Sequence, residues 1–165
     1  MIGIGFDAWV VEGLDLRLKR GLGKAAYVLS AFRQFLRYRP RRYRVEIDGR
    51  TFPATSVVIA KGHYYGGRFV VAPAARLDQP ALHVALFERA GRWNLLRYAL
   101  ALLGNRLDRL PDVRIVLAVA VKVSGEPGEA IQADGDLLAR LPLRVTLVTQ
   151  PITLVAADNY AASPS

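Results

Sequence analysis

Residues 61–68 of the chain read Lys-Gly-His-Tyr-Tyr-Gly-Gly-Arg, and residues 72–78 read Ala-Pro-Ala-Ala-Arg-Leu-Asp. A β-rich run enters this stretch and another leaves it. The adjacent Gly66 and Gly67 permit a positive φ or a close approach of the backbone, because neither residue carries a Cβ. The stretch therefore predicts a turn of fixed shape between two buried strands, with an aromatic pair beside the glycines.

The sequence on both sides of this turn predicts many short strands. In residues 43–47, apolar and charged side chains alternate, as expected of a strand with one buried face. Asp48-Gly49 follows and predicts a hairpin, because a type I′ turn requires positive φ at both central residues. Pro53 indicates an edge strand or a break, since proline cannot donate to a sheet ladder. We predict further strands over residues 50–52, 56–60, 69–72, 82–87, 113–123, 130–133, 143–148 and 152–156.

Helices are predicted where apolar residues recur at helical spacing. Residues 24–38 form the clearest helix, and Pro40 ends it by biasing Arg39 away from the helical region. Residues 93–103 form a second helix, and a short one is predicted near residues 11–20. The apolar stripe of the second helix consists of Trp93, Leu96, Leu100 and Leu103.

The connections between the strands predict the fold class. They are mainly turns and not regular crossover helices, so we expect a mainly β (α+β) fold. Its architecture would be an antiparallel β-sandwich or open barrel with two to three helices on one side. A doubly wound nucleotide-binding sheet is not expected. A length of 165 residues suits one domain, which we place at residues 1–157, with residues 158–165 as a flexible tail.

The composition excludes several classes of site. The chain has no cysteine and two histidines, so disulfides, thiolate catalysis, cysteine-ligated metals and multi-histidine metal sites are excluded. The longest stretch without a charge, residues 145–157, is shorter and more polar than the roughly 18 apolar residues of a spanning helix. A chain without cysteine is compatible with the cytosol.

The charge of +9 is concentrated in one segment of the chain. Between Leu16 and Val45 lie ten of the 23 arginine and lysine residues and none of the 14 acids. Such a segment fits an anionic surface, either acidic lipid headgroups or nucleic acid. The alternative is a solvated face that keeps the protein soluble.

Three motifs in a fixed order carry a family resemblance. Residues 3–8 read Gly-Ile-Gly-Phe-Asp-Ala, the Gly-Gly turn with its Ala-Pro follows, and residues 133–136 read Ala-Asp-Gly-Asp. Together they resemble the carboxyl-terminal domain of the diacylglycerol kinase and sphingosine kinase superfamily, over about residues 3–156. The resemblance implies the second, β-rich domain of NAD kinase/diacylglycerol kinase-like proteins, which closes the active-site cleft and contributes to lipid recognition.

The resemblance also implies roles for individual residues. Asp7 would contact the polar head of the lipid, and Asp136 would be the general base on the acceptor hydroxyl. Gly66 and Gly67 would contribute to substrate binding. The residues alone leave alternatives open, since Asp7 could cap the following segment and Asp136 could be an exposed acid after an ordinary hairpin. Asp136 stands where the family has Glu, which shortens the side chain by one methylene.

Of the family's sites, the structural magnesium site matches this sequence least well. The family pattern has two acids and then glycine, whereas this chain reads Asp78-Gln79-Pro80. The ligating acid falls on Gln79, with the carbonyls of Arg76 and Ala81 as its companions. A neutral amide is a poorer ligand for a hard cation than a carboxylate. We expect a lost or reshaped site, with Asp78 the only nearby carboxylate. Lys61, where the family commonly has Asn, could reach a phosphate or be solvated.

The sequence lacks the Gly-Gly-Asp-Gly-Thr type loop with which these kinases bind ATP, and it has no P-loop or Rossmann fingerprint. The resemblance therefore implies the lipid-substrate domain of an ATP-dependent lipid kinase whose amino-terminal nucleotide-binding domain is missing. The chain would be either a fragment of a two-domain lipid kinase or a stand-alone relic that works with another subunit. ATP and Mg²⁺ would serve the complete enzyme, and the isolated chain would bind neither and be inactive. We expect a cytoplasmic protein, peripheral to the inner membrane surface. Its membrane-binding residues would be Arg33, Arg37, Arg39, Arg41, Arg42 and Arg44.

Two other functions remain open from the residues. A nucleic-acid-binding β-barrel would use the basic segment of residues 17–44, and it ranks well below the lipid kinase domain because the aromatic residues are not clearly interleaved on strands. A structural module that forms a homodimer through strand edges is the other. The candidates for base stacking are Tyr38, Tyr43, Tyr64 and Tyr65.

Overall fold

The structure is a computed structural model, and it describes residues 1–13, 30, 32–65, 67, 69–148 and 150. The helices are α1 (Phe6–Glu12) and α2 (Arg92–Leu103), with a 3₁₀ turn at Leu107–Arg109, and residues 32–36 are also helical. The strands are β1 (Ile2–Ile4), β2 (Tyr43–Ile47), β3 (Arg50–Ala54), β4 (Ser56–Ala60), β5 (Tyr64–Tyr65), β6 (Phe69–Val70), β7 (Leu82–Phe87), β8 (Val113–Ala118), β9 (Ala120–Ser124), β10 (Ala130–Ala133), β11 (Asp136–Arg140) and β12 (Leu143–Thr146).

The strands form two main sheets and a small hairpin. The larger sheet has the order β11-β10-β1-β4-β7-β8, the smaller has the order β12-β9-β2-β3, and β5 pairs with β6. Every pairing in the described part of the chain is antiparallel. The predicted mainly β fold with antiparallel sheets is thereby confirmed, and the sheets are open.

The main core lies between the two sheets. Ile59 and Val84 of the larger sheet belong to one buried cluster with Val45 and Val123 of the smaller sheet. Burying an aliphatic side chain of this kind contributes roughly 1.5–3 kcal/mol. The alternation of apolar and charged residues that predicted β2 is reproduced, because its buried residues face this core.

A second layer covers the other face of the six-stranded sheet. Val58 and Phe87 on that face pack with Tyr98 of α2 and Leu107 of the 3₁₀ turn. The Phe87 and Tyr98 rings meet edge to face, with centroids 5.0 Å apart. This outer layer, between the sheet and the helices, contains the candidate site.

The structure confirms the Asp48-Gly49 hairpin, with φ values of 45° and 84°. Pro53 lies in β3, which is an edge strand of the smaller sheet as predicted. The single long strand predicted over residues 113–123 is wrong, because β8 and β9 belong to different sheets. The Asp48 carboxylate accepts hydrogen bonds from the amides of Val119 and Ala120, at 3.2 and 2.9 Å, where the strand breaks.

Two other predictions differ from the structure. The first helix begins at Phe6, ahead of residues 11–20. The Asp134-Gly135 turn leads from β10 into β11, a strand that was not predicted, while β12 pairs with β9. The stripe predicted on α2 is exposed to solvent. Residues 24–29 and 31 of the helix predicted over residues 24–38 and all of the strand predicted over residues 152–156 lie outside the described residues, as does the tail.

Candidate functional site

A cavity of about 390 Å³ lies between the outer face of the six-stranded sheet and the helices. Its volume is within the range of small-molecule sites. Its walls are mostly apolar, and a few polar side chains point into it from separate elements. The lining residues include Ile4, Phe6, Val10, Val58, Val71, Phe87, Leu95, Ala99, Leu102 and Leu107, with the polar Asp7, Tyr38, Thr55, Ser56, Tyr65, Arg89 and Tyr98.

Gly5 makes the sharp change from β1 to α1 that places Asp7 at the cavity. Its φ of 98° disfavours other residues, and a Cβ at this position would lie 2.4 Å from the Ser56 Oγ. The same hydroxyl oxygen accepts a hydrogen bond of 3.2 Å from the Phe6 amide, the first of α1. Asp7 is therefore fixed in the first turn of the helix.

Gly3 leaves the space that the Asp7 side chain occupies. A Cβ on Gly3 would lie 1.9 Å from the Asp7 Oδ2 and 2.5 Å from the Gln132 Nε2. Contacts under 3.0 Å are not tolerated, so any larger residue at position 3 would displace the carboxylate. The structure thus gives a physical reason for glycine at both of these positions of the Gly-Ile-Gly-Phe-Asp-Ala motif.

Two neutral donors hold the Asp7 carboxylate. The Tyr65 hydroxyl donates to Oδ1, and the Gln132 amide nitrogen donates to Oδ2. Burial raises the pKa of Asp7, and the hydrogen bonds from Tyr65 and Gln132 oppose that rise. Burial and the neighbouring Asp7 charge likewise raise the pKa of Tyr65. Since a carboxylate has about four acceptor positions, Asp7 can accept further hydrogen bonds from a ligand.

Gln132 connects Asp7 to the Asp-Gly motif. Its side chain is 1% exposed, and its Oε1 accepts a hydrogen bond of 2.9 Å from the Gly135 amide. The sequence interpretation missed Gln132. The signal that could have found it is a polar residue on the buried part of an otherwise apolar strand, directly before the Asp-Gly turn. Tyr65, one of the aromatic pair beside the predicted turn, donates its hydroxyl hydrogen to Asp7.

Asp136 and Gly67, the other predicted catalytic and substrate residues that the structure describes, are not part of the cavity lining. Asp136 is the first residue of β11, exposed and paired in register with Ala133. Gly67 has a φ of 105° at the tip of the β5–β6 hairpin, and a Cβ there would meet no atom within 4 Å. Gly66 lies outside the described residues. The structure thus brings Asp7, Tyr65 and Gln132 together, with the turn before Asp136 attached to them.

The residues at the expected magnesium site do not fit a divalent cation. The Lys61 ammonium donates to the carbonyl oxygens of Gln79 and Arg76, where the cation would need acceptors. Asp78 is instead paired with the Arg76 guanidinium at 3.0 Å. Over the described ranges, no three or more acidic or histidine side chains are grouped as metal ligands would be.

The basic segment divides into one internal residue and several exposed ones. Arg41 pairs with Glu126 and, at 2.9 Å, with Glu129, and its guanidinium lies 5.7 Å from the centre of the Trp9 ring. Arg41 is thus held by internal contacts. The other five predicted membrane-binding residues are exposed: Arg33, Arg37, Arg39, Arg42 and Arg44.

Two of the four tyrosines predicted to stack on bases in a nucleic-acid-binding protein are engaged within the fold. Tyr43 is 2% exposed in the main core, and Tyr65 donates to Asp7. In the described residues, no helix is both long enough and apolar enough to cross a membrane.

Comparison with known proteins identifies the family. The family described as "YegS C-terminal NAD kinase beta sandwich-like domain" matches residues 1–156. The chain is 26% identical over 147 residues to a diacylglycerol kinase of Mycobacterium tuberculosis, covering 87% of this chain and 47% of that protein. It is 26% identical over 163 residues to the "Probable lipid kinase YegS-like" of Chromohalobacter salexigens, covering 95% of this chain and 51% of that protein.

A solved structure is similar in fold. A diacylglycerol kinase from Bacillus anthracis str. Sterne superposes with a TM-score of 0.61 at 22% identity, covering 88% of this chain and 47% of that one. The chain spans about half the length of the curated relatives it matches. The resemblance drawn from the three motifs is confirmed, and the chain belongs to the family of YegS-type carboxyl-terminal, NAD kinase β-sandwich-like domains.

Proposed function

We propose that this chain is the lipid-substrate domain of a diacylglycerol kinase-like enzyme, in which a lipid hydroxyl attacks the γ-phosphate of ATP. The observation that carries the proposal is the Asp7 carboxylate in the wall of a mostly apolar cavity. The cavity takes up the hydrocarbon part of the lipid, and Asp7 accepts a hydrogen bond from its alcohol. The curated relatives with kinase names support the reaction class.

The physical chemistry of the cavity favours an amphiphilic ligand. Each buried methylene contributes about 0.8 kcal/mol, so an acyl chain supplies most of the affinity. A hydrogen bond to a charged acceptor adds about 1.5–3 kcal/mol and orients the head of the ligand. Tyr65 and Gln132 keep Asp7 ordered without neutralising it, because both are uncharged donors.

Asp136 is our candidate for the general base on the acceptor hydroxyl. The hydrogen bonds from Gly135 to Gln132 and from Gln132 to Asp7 support this role, because they fix the turn before Asp136 relative to the alcohol site. Gly66 and Gly67 are kept as candidates for substrate binding on the strength of the family resemblance alone. ATP and Mg²⁺ act in the complete enzyme with its amino-terminal domain, so the isolated chain is inactive.

Binding of a short-chain diacylglycerol tests this function directly. Dioctanoylglycerol should bind the purified chain, and Asp7→Asn should weaken binding about tenfold or more through loss of the charged acceptor. Glu46→Gln is the matched control, since it removes the charge of an exposed carboxylate on β2 of the smaller sheet, away from the cavity lining, and should leave binding unchanged. Equal binding by the wild type and Asp7→Asn, or none by the wild type, would contradict the proposal.

We further propose that the exposed stripe of α2 rests on an anionic membrane at the cytoplasmic face. Trp93 is 83% exposed, and Leu96, Leu100 and Leu103 are exposed on the same stripe. The opposite side of α2 lines the cavity, so a lipid has a short route from a membrane to Asp7. The exposed bases near the stripe that favour an anionic surface are Arg92, Arg106 and Arg109.

The basic segment extends this surface. The Arg92 guanidinium donates to the Leu36 carbonyl at 2.8 Å, which joins the start of α2 to the helical residues 32–36. Each well-placed base contributes about 1 kcal/mol on an acidic membrane. The segment supplies Arg33, Arg37 and Arg39 on this side, and Arg42 and Arg44 after it.

The two tryptophans allow a sharp test of the membrane contact. In Trp9→Phe, Trp93 is the sole tryptophan reporter, and its emission should shift to the blue with vesicles containing phosphatidylglycerol but not with neutral vesicles. Trp93→Phe, which leaves Trp9, is the control and should show no shift. An unchanged Trp93 spectrum would instead favour coverage of the stripe by the amino-terminal domain.

A further inference from the structure

The Lys61 side chain lies where a bound cation would be expected to hold a loop. Lys61 follows the last residue of β4, and its ammonium donates to the main-chain carbonyls of Gln79 and, at 3.4 Å, Arg76. These oxygens belong to the 72–81 loop, which connects β6 to β7. A lysine ammonium has three donors and is a compact positive charge, so it can bind several carbonyl oxygens at once.

Other contacts show that the loop returns to the segment after β4. The His63 Nδ1 lies 3.3 Å from the Ala75 carbonyl oxygen, and the Val71 amide donates to the His63 carbonyl at 3.1 Å. Lys61 is the charged member of this set of contacts. The same segment continues into β5, which carries Tyr65 to the Asp7 carboxylate.

The side chains around Lys61 suit an ammonium and not a divalent ion. Gln79 is neutral, and its Oε1 lies 3.4 Å from the His83 Nε2. The acid next to Gln79 in the sequence, Asp78, is paired in bidentate fashion with Arg76, and Asp108 lines a pocket with Gln79 and His83. A divalent ion would require free carboxylates, whereas Asp78 is already paired with Arg76.

We propose that the Lys61 ammonium is a built-in cation that takes the place of a bound divalent metal in holding the 72–81 loop. Lysine at position 61 and glutamine at position 79 then together replace the asparagine and the acid of the family pattern. The lysine supplies the positive charge, and the loss of the acid leaves no negative charge unbalanced. Lys61 is a positioning residue for the β5 hairpin. The inference concerns folding, so it stands or falls separately from the lipid-binding function.

The first experiment compares thermal unfolding of the purified chain in millimolar MgCl₂ and in EDTA. The wild type should unfold at the same temperature in both, and Mn²⁺ titrated as a paramagnetic probe should show no saturable site. Lys61→Met should lower the Tm by about 4 °C or more in both solutions, as expected for a lost charge-assisted hydrogen bond in a domain of this size. Lys122→Met removes the same charge from an exposed strand position and should change Tm by less than about 1 °C.

The second experiment restores the residue types of the family pattern at positions 61 and 79. The double variant Lys61→Asn with Gln79→Glu should gain a saturable rise in Tm with MgCl₂ that EDTA abolishes. A saturable Mg²⁺-dependent rise in the wild type would overturn the proposal, because the ammonium would then not replace the ion. Equal Tm values for Lys61→Met and Lys122→Met would also overturn it. If Lys61→Met does not fold, the wild-type titrations still decide the question.

Discussion

The two faces of the six-stranded sheet are built on different principles. The inner face meets the smaller sheet, and the two sheets share one cluster of buried apolar side chains. The outer face meets helices, and there a cavity of about 390 Å³ remains, with Asp7 and Tyr65 in its wall. The packed inner face stabilises the fold. The outer face is less completely packed, and the cavity that remains there is the ligand site that we propose.

The largest expected effect compares one leucine on each face. Leu86 is 0% exposed in the inner core, whereas the half-buried Leu102 lines the cavity. Leu86→Ala should reduce the free energy of unfolding by about 2–5 kcal/mol, because it opens a new void in a packed core. Leu102→Ala should cost only about 1 kcal/mol, since its side chain already borders empty space. Urea unfolding measures both, and similar losses would remove the distinction between the faces.

Gly3→Ala tests the fit of Asp7 on the outer face. The new methyl group would overlap the Asp7 Oδ2, so we expect a loss of about 1–3 kcal/mol in unfolding free energy together with weaker binding of dioctanoylglycerol. Gly104→Ala is the matched control, because a Cβ there would meet its nearest neighbour at an ordinary 3.5 Å. Unchanged ligand binding by a folded Gly3→Ala variant would show that the position of the carboxylate does not matter.

The free energy of unfolding should depend on pH in the way expected from the raised pKa of Asp7. Because burial raises the pKa of Asp7 above that of an ordinary aspartate, the folded state binds more protons than the unfolded state between the two pKa values. The contribution of Asp7 to stability is therefore most favourable at low pH and declines as pH rises through that window.

Urea unfolding of the wild type and Asp7→Asn across this range isolates the contribution of Asp7. The unfolding free energy of the wild type should fall relative to that of the variant as pH increases. A constant difference between the two proteins, or one that changes in the opposite direction, would contradict a raised pKa.

The smallest expected effect concerns the point where the chain crosses between the sheets. Asp48→Ala removes the acceptor for the amides of Val119 and Ala120 and places alanine at a φ of 45°, so it should cost about 1 kcal/mol. Asp48→Asn keeps an acceptor and tolerates that backbone, so it should cost less. Denaturant midpoints compare the two variants. An Asn variant as unstable as the Ala variant would show that the negative charge matters more than the acceptor.

Local signals in the sequence predicted much of the fold. The Asp48-Gly49 hairpin and the alternation in residues 43–47 depend on neighbours in the chain, and both are reproduced. The break at Val119 was missed because its cause is Asp48, 71 positions away. Alternating apolar residues continue across the break, so the pattern alone describes one strand where there are two.

The candidate site was predicted only in part, again because its residues are far apart in the chain. Asp7 was singled out by a family motif, but its donors Tyr65 and Gln132 are 58 and 125 positions away in the chain. Nothing near either residue indicates that it faces a carboxylate. Lys61 was likewise recognised as a departure from the family pattern, and only the folded chain places it against the 72–81 loop.

The most direct measurement compares the affinity of the purified chain for dioctanoylglycerol and for the same lipid with its free hydroxyl acetylated. If Asp7 accepts the alcohol, the wild type should prefer the free alcohol about tenfold or more, and Asp7→Asn should bind the two lipids almost equally. Equal affinities in the wild type would mean that the cavity binds hydrocarbon without recognising the hydroxyl, which would contradict the account.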